Sequence, residues 1–193
     1  MYSFRNDYSE GAHPKVLQAL ADTNLRQTVG YGMDPCCQAA ADTIRRLCAA
    51  PDAAVHFLVG GTQVNLVTID AFLQSYEAVV AAQTGHVSTH ETGAIEATGH
   101  KVCTVESPDG KLTPALVESV LAGHNGTEHM VLPRMVYISD TTEIGTVYTR
   151  AELAALRQCC DVHGLFLYLD GARLGSALTF TGQSAVLGDR ERI

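Results

Sequence analysis

Short apolar runs alternate with longer amphipathic stretches along most of this chain of 193 residues. The runs at 54–59 (AVHFLV), 78–82 (AVVAA), 102–105, 135–139 (MVYIS) and 165–169 (LFLYL) have the length of strands. The run at 165–169 is wholly apolar, which is typical of a strand buried on both faces of a parallel sheet. The pattern therefore predicts five strands.

Four amphipathic segments between or beside these runs predict helices. Asp34-Pro35 and Thr113-Pro114 each place a capping side chain before a proline at the first helical position. Thr149 and Glu152 match a capping box at the start of a third helix. The remaining helix directly follows the turn at 60–62. Strands that alternate with helices in this way predict an α/β fold, with a largely parallel sheet and helices on both faces.

Composition and charge limit the classes of function. The chain is 46% apolar, has a net charge of −8 and has a pI of about 5.4, which argues against nucleic acid as a partner. No apolar run has the length of a membrane span, and the N-terminus lacks the layout of a signal peptide. The six cysteines form no CxxC pair, which indicates free thiols and a cytoplasmic protein.

Residues that can carry chemistry follow the predicted strands. Asp170 ends the run at 165–169 and Arg173 comes shortly after it, while His86 follows the run at 78–82. Gly61 and Thr62 lie between a strand and a helix. The carboxyl ends of parallel strands meet at one edge of the sheet, where open α/β sheets bind ligands. There a carboxylate can hold a cation, an arginine can hold an anion, and helix N–H groups can hold a phosphate.

The two histidines of the HVSTHE segment allow a second interpretation. His86 and His90 stand four residues apart, next to Glu91, and on a helix they would share one face as a metal pair. The segment is not an HExxH motif, however, and the residues at 87–89 are β-branched and hydroxylic rather than helix-forming. We therefore expect no metal here, and a flat imidazole packed on a planar ligand remains an alternative.

Taken singly, the other candidates also suit ordinary turn and loop chemistry. This holds for the glycine turn at 60–62, for Asn6, for Tyr31 and for Glu143. Together, the residues at the strand ends imply a ligand with a phosphate, a flat ring and a protonated ring nitrogen. Pyridoxal phosphate has all three features.

The sequence resembles the low-specificity threonine aldolase and aromatic amino acid β-eliminating lyase family, which has the aspartate aminotransferase-like fold (fold type I). It is closest to the threonine aldolase branch. The matching segments cover nearly the whole chain in order: SFRNDYSEGAHPKVLQAL, YGMDP, FLVGGTQVN, GHVSTHETGAIEATGHK, TTEIGTVYTRAELAAL and LFLYLDGARLGSAL. The resemblance implies a lyase that uses pyridoxal phosphate to cleave threonine or allo-threonine to glycine and an aldehyde. It also implies a homo-oligomer, either a dimer or a tetramer.

The resemblance also implies a role for each candidate at the strand ends. Gly61 and Thr62 are expected to bind the cofactor phosphate, and His86 to stack on the pyridine ring. Asp170 is expected to pair with the pyridinium nitrogen and keep it protonated. Arg173 is expected to lie near the substrate carboxylate and the phenolic oxygen of the cofactor. On this basis His86, Asp170 and Arg173 are the predicted catalytic residues.

The chain departs from the family pattern at two places. Asn6 stands where relatives often have a serine that contacts the substrate carboxylate, so we expect an altered contact there. Tyr31 is expected to belong to a loop near the active site. The lysine that binds the cofactor covalently comes about thirty residues after the DGAR motif in this family, and the chain ends before that position. Lys15, Lys101 and Lys111 lie in unrelated contexts.

We therefore expect residues 1–193 to form an N-terminal segment plus most of the cofactor-binding large domain, with the start of a further helix at 183–193. The lysine segment and the C-terminal small domain would be absent. Such a chain is expected to bind pyridoxal phosphate at most non-covalently and to show little turnover. The alternative is a non-catalytic fragment, or a degenerate module of the same fold, that acts through oligomerisation with a partner.

Overall fold

A computed structural model of the protein describes residue 3 and the ranges 5–124 and 126–182. The chain divides into two compact units, residues 1–41 and residues 42–193, and the boundary falls within helix α2 (Pro35–Leu47). None of the helices in the described ranges is long and apolar enough to cross a membrane.

The first unit contains helix α1 (Pro14–Thr23) and the start of α2. The sequence predicts α2 but not α1. Helix α2 begins as expected, because Asp34 Oδ1 accepts the N–H groups of Cys36 at 2.8 Å and Cys37 at 3.0 Å. A hydrogen bond from the Cys37 thiol, together with the one from its N–H, holds the pKa of Asp34 below its usual range.

The second unit alternates strands with helices, as the sequence predicts. Within the described ranges its elements are α3 (Gly61–Phe72), β1 (Glu77–Ala82), α4 (His86–Thr89), α5 (Ala94–Ala97), β2 (Lys101–Val105), α6 (Pro114–Ala122), β3 (Leu132–Ser139), α7 (Arg150–His163), β4 (Phe166–Asp170) and α8 (Leu174–Thr181).

The four strands form one parallel sheet in the order β2-β1-β3-β4. Helices cover both faces of the sheet. Successive side chains of a strand point to opposite faces, so neighbouring residues pack against different helices. Val136 and Ile138 of β3 pack on one face with the apolar side chains of α6 and α7. Met135 and Tyr137 pack on the other face, with α3, α4 and α5. The sheet therefore confirms the predicted α/β class with helices on both faces.

The strand predicted at 54–59 is wrong. The segment has no strand conformation, and Phe57, Leu58 and Val59 are exposed. A strand exists only when a neighbouring strand takes up its backbone hydrogen bonds, and this run has no such neighbour in the described ranges. The expectation that HVSTHE is not helical is also wrong, since α4 is a single helical turn. The helix start expected at 183–193 lies outside the described residues.

Candidate active site

The carboxyl ends of three neighbouring strands bring the central candidates together. His86 follows β1, the segment at 140–143 follows β3, and Asp170 ends β4. The strands are parallel, so these ends lie at one edge of the sheet, and Ser139 is the register partner of Asp170. The fold therefore brings these residues together at one edge of the sheet, as the sequence predicts.

The Asp170 carboxylate is held by three hydrogen-bond donors. Its Oδ1 accepts the N–H of Ala172 at 3.0 Å, and its Oδ2 accepts the hydroxyl of Tyr137 at 2.6 Å and Nδ2 of Asn65 at 3.3 Å. Burial, with the nearby Asp170 charge, raises the pKa of Tyr137 far above its ordinary value. The phenol therefore stays protonated and donates, which fixes the half-buried carboxylate in place.

His86 is positioned through both its backbone and its ring. Its N–H donates to Glu143 Oε1 at 2.9 Å, and its Nδ1 lies 2.7 Å from Glu91 Oε1. The Glu91 side chain is only 1% exposed, whereas that of His86 is 37% exposed. A buried carboxylate thus fixes one ring nitrogen, while the rest of the imidazole remains open to a ligand. The ring of His90 lies 5.5 Å away, tilted by 50°.

Asn65 connects these two parts of the site. It is 2% exposed, on the first turns of α3. Its Nδ2 donates to Glu91 Oε1 at 2.7 Å as well as to Asp170, and its Oδ1 accepts the hydroxyl of Tyr168 at 2.6 Å. Burial raises the pKa of Tyr168 to about 12, so this phenol also remains a donor. The three partners together fix the orientation of the amide.

Ser139 and Glu143 close the connection on the other side. Ser139 Oγ lies 2.6 Å from Glu143 Oε1 and 3.4 Å from the hydroxyl of Tyr137. The result is a closed ring of hydrogen bonds, which we call the polar ring. Its members are His86, Glu91, Asn65, Asp170, Tyr137, Ser139 and Glu143.

The amino end of α3 lies at the same edge of the sheet. Asn65 comes four residues after Gly61, which is about 6 Å along a helix axis. A Cβ added at Gly60 or Gly61 would meet no atom within 4 Å, and Thr62 is exposed. The amino end of α3 is therefore exposed and uncrowded, which suits the binding of a phosphate by its first N–H groups.

Arg173 lies beside the segment that follows β3. Its Nε is 3.2 Å from Thr141 Oγ1, and its Nη2 donates to the carbonyl of Thr141 at 3.2 Å. These two bonds anchor the half-buried guanidinium close to the carboxyl end of β4. The structure thus brings Arg173 to the same edge of the sheet as Asp170.

Two of the predicted substrate-binding residues belong to the first unit. Asn6 Oδ1 accepts the hydroxyl of Ser9 at 2.6 Å and the N–H of Tyr8 at 3.3 Å. Tyr31 is fully exposed and has a φ of 64°, in the left-handed region. The roles of Asn6 and Tyr31 in substrate binding remain predictions.

The three lysines of the chain are placed away from the polar ring or belong to the other unit. Lys101 begins β2, at the amino edge of the sheet. Lys111 is bound to a different partner, because its Nζ lies 2.6 Å from Glu152 Oε1. Lys15 belongs to α1 of the first unit.

The donor set fits pyridoxal phosphate. The amino end of α3 suits its phosphate, the exposed face of the His86 imidazole suits its ring, and the fixed Asp170 carboxylate suits its pyridinium nitrogen. The sequence did not identify Asn65, Tyr137 and Tyr168 as parts of this site. The signal that could have revealed them is a polar group placed within an otherwise apolar strand or helix face.

Known proteins resemble this chain over most of its length. The sequence profile of the family described as Beta-eliminating lyase matches residues 4–186. The low specificity L-threonine aldolase of Pseudomonas aeruginosa is 36% identical over 183 residues, which cover 94% of this chain and 52% of that protein. The protein of the same name in Saccharomyces cerevisiae is 28% identical, over 92% of this chain and 46% of its own length.

Solved structures show the same likeness. The Leishmania major threonine aldolase matches with a TM-score of 0.91 at 56% identity, covering 93% of this chain and 52% of that one. An aminotransferase from Mycobacterium tuberculosis matches with a TM-score of 0.60 at 21% identity, over 86% of this chain and 43% of that one, which shows a shared fold. The chain spans about half the length of the curated relatives it matches. These matches confirm the fold and the family expected from the sequence.

Proposed function

Because the chain belongs to the beta-eliminating lyase family, we propose that it forms the cofactor-binding part of a lyase of the threonine aldolase type that depends on pyridoxal phosphate. Its reaction is the cleavage of a β-hydroxy-α-amino acid, L-threonine or L-allo-threonine, to glycine and an aldehyde. The observation that carries the proposal is the polar ring, which holds an imidazole and a carboxylate at the edge of the sheet where ligands bind.

The residues divide the work of holding the cofactor. The first turn of α3, with Gly61 and the hydroxyl of Thr62, binds the phosphate. His86 packs on the pyridine ring, and Asp170 accepts the proton of the ring nitrogen in a hydrogen bond. Pyridoxal phosphate supplies an electron sink for the bond that breaks. Asp170 sustains this property, because a charged carboxylate keeps the ring nitrogen protonated.

His86 and Arg173 act on the substrate side. Glu91 occupies Nδ1 of His86, so Nε2 is the ring atom that remains to receive the proton of the substrate hydroxyl. Arg173 lies beside the site with its guanidinium anchored on Thr141, where it can attract the carboxylate of an amino acid. Asn6 and Tyr31 are proposed to contribute further substrate contacts.

The experiment that tests this proposal is a titration of the 193-residue chain with pyridoxal phosphate, followed by absorbance. We expect saturable binding that Asp170→Asn weakens at least about tenfold, since the variant loses a charge-assisted hydrogen bond. Asp161→Asn is the matched control, because Asp161 pairs with Arg157 on the surface of α7. Binding that is equal in all three proteins would contradict the assigned site.

The chain alone is expected to show little or no cleavage of threonine. Lys101 begins β2 at the amino edge of the sheet, and Lys111 is paired with Glu152. We therefore propose that the cofactor binds non-covalently. A cofactor that borohydride attaches covalently to this chain would show that expectation to be wrong.

A second candidate function follows from the same lysine positions. The chain could act as a non-catalytic module that assembles with a partner, and we propose a dimer or tetramer in either case. Analytical ultracentrifugation of the pure chain measures the assembly. Failure to bind pyridoxal phosphate, combined with stable assembly, would favour this second function over the first. All six cysteines are free, which suits the proposed cytoplasmic location.

A further inference from the structure

Helices α6 and α7 carry three potential metal ligands on the sheet face opposite Tyr137. Cys159 and His163 stand four residues apart on α7, so they share one side of the helix, and Glu118 faces them from α6. One ligand atom from each of the three residues lies within 4.8 Å of the other two. Glu118 and His163 are exposed, whereas Cys159 is buried.

The spacing of these atoms is close to that of a tetrahedral zinc site. Nitrogen and oxygen ligands about 2.0–2.2 Å from Zn²⁺ lie roughly 3.4 Å apart, and a sulfur at about 2.3 Å lies roughly 3.6 Å from either. His163 Nε2 is already 3.4 Å from Glu118 Oε1, which is long for a direct hydrogen bond. The sulfur of Cys159 lies no more than 4.8 Å from a ligand atom of each partner, so it has to approach by at most about 1 Å.

The surroundings also favour a dication. A bound dication would balance the charges of one thiolate and one carboxylate. Glu118 and Cys159 also line a cavity of about 260 Å³, which has room for a water as fourth ligand.

We propose that Glu118, Cys159 and His163 form a Zn²⁺ site that links α6 to α7, separate from the candidate active site. Thiolate, imidazole and carboxylate are the ligand types that zinc takes in proteins. The site is of the open kind, with three protein ligands and one position for solvent. This inference does not depend on the proposed lyase activity.

The test uses Co²⁺ as a spectroscopic probe for Zn²⁺ on the 193-residue chain. We expect one Co²⁺ per chain, with a thiolate-to-cobalt charge-transfer band that Zn²⁺ displaces. His163→Ala and Glu118→Gln should each weaken binding at least about tenfold, and both residues are exposed, so folding should be preserved. Cys159→Ser should remove the band.

Two variants serve as controls. His129→Ala removes an exposed histidine elsewhere on the chain. Cys103→Ser removes the thiol of another cysteine–histidine pair, in which Cys103 Sγ lies 3.7 Å from His124 Nε2. This pair offers a metal ion two potential ligands rather than three. Both controls should bind Co²⁺ as the unmodified chain does. The proposal is overturned if no band forms, if His129→Ala weakens binding as much as His163→Ala, or if the band survives in Cys159→Ser.

Discussion

The substitution Asn65→Asp tests the polar ring most directly. It replaces a double donor with a further carboxylate of nearly the same shape, at a position that is 2% exposed. The new oxygen would stand where Nδ2 stands, 2.7 Å from Glu91 Oε1 and 3.3 Å from Asp170 Oδ2. The amide that separated two carboxylates would become a source of repulsion for both.

The magnitudes decide how the variant responds. Unit charges at those two distances repel by about 6 and about 5 kcal/mol at an effective dielectric constant of about 20. Binding one proton at pH 7 costs only about 4 kcal/mol for a carboxyl group that ordinarily titrates near pH 4. Proton uptake is therefore the cheaper route, and the folded variant holds one more proton than its unfolded chain.

The consequence is a loss of stability that depends on pH. We expect Asn65→Asp to lower the free energy of unfolding by about 4 kcal/mol at pH 7 relative to the unmodified chain. The folded state binds the extra proton, so the loss shrinks by about 1.4 kcal/mol for each unit of acidification and is about 1–2 kcal/mol at pH 5.

Urea unfolding at pH 7, 6 and 5, followed by circular dichroism, measures this difference. Asn24→Asp is the matched control, because it makes the same chemical change at the exposed end of α1. The control should change stability by less than about 1 kcal/mol. A loss in Asn65→Asp that is the same at pH 7 and pH 5 would show that position 65 does not lie between two charged carboxylates.

Three further predictions follow from single side chains. Burial raises the pKa of Asp140, so its charged form costs stability at pH 7. Asp140→Asn should therefore raise Tm at pH 7. The gain should vanish below pH 3.8, the ordinary pKa of the carboxyl group. Lys111 holds the pKa of Glu152 below its ordinary 4.5, so Lys111→Met should lower Tm at pH 7 but not at pH 3, with cofactor binding unchanged. Gly61→Ala should leave the free energy of unfolding unchanged or raise it by no more than about 1 kcal/mol, because a Cβ there meets no atom within 4 Å. Its Tm should therefore stay the same or rise slightly. A titration of this variant should show weaker binding of pyridoxal phosphate.

Much of the second unit could be predicted from the sequence because local signals and burial agree there. The run at 165–169 became β4, although this edge strand is only partly buried, and the capping box at Thr149 opens α7 as expected. The run at 54–59 is also largely apolar but has no strand beside it in the described ranges. An apolar run reports the tendency of a segment to be buried, whereas a strand also needs a partner that takes its backbone hydrogen bonds.

The site was predictable only in part, for a related reason. Asp170 ends β4 and His86 follows β1, so topology alone gathers these two at one edge, whereas Gly61 begins α3 after a segment that is not a strand. The sequence did not point to three further residues of the site, because they lie within apolar segments and would be predicted to belong to the core: Asn65, Tyr137 and Tyr168. Glu91 was noticed only as a neighbour of two histidines, although its carboxylate is the buried partner of His86.

The polar ring also explains why residues that never touch a ligand should control those that do. His86 begins α4 and Asp170 ends β4, yet one amide, that of Asn65, bonds directly to Asp170 and to the Glu91 carboxylate that fixes His86. A shift of this amide therefore moves the support of the imidazole and that of the carboxylate together. Coupling of this kind places both groups against one flat ligand with a single set of contacts, as a planar cofactor ring requires. Substitutions at Asn65 should consequently disturb ring packing and nitrogen pairing at the same time, whereas a change at Thr141 should reach only Arg173.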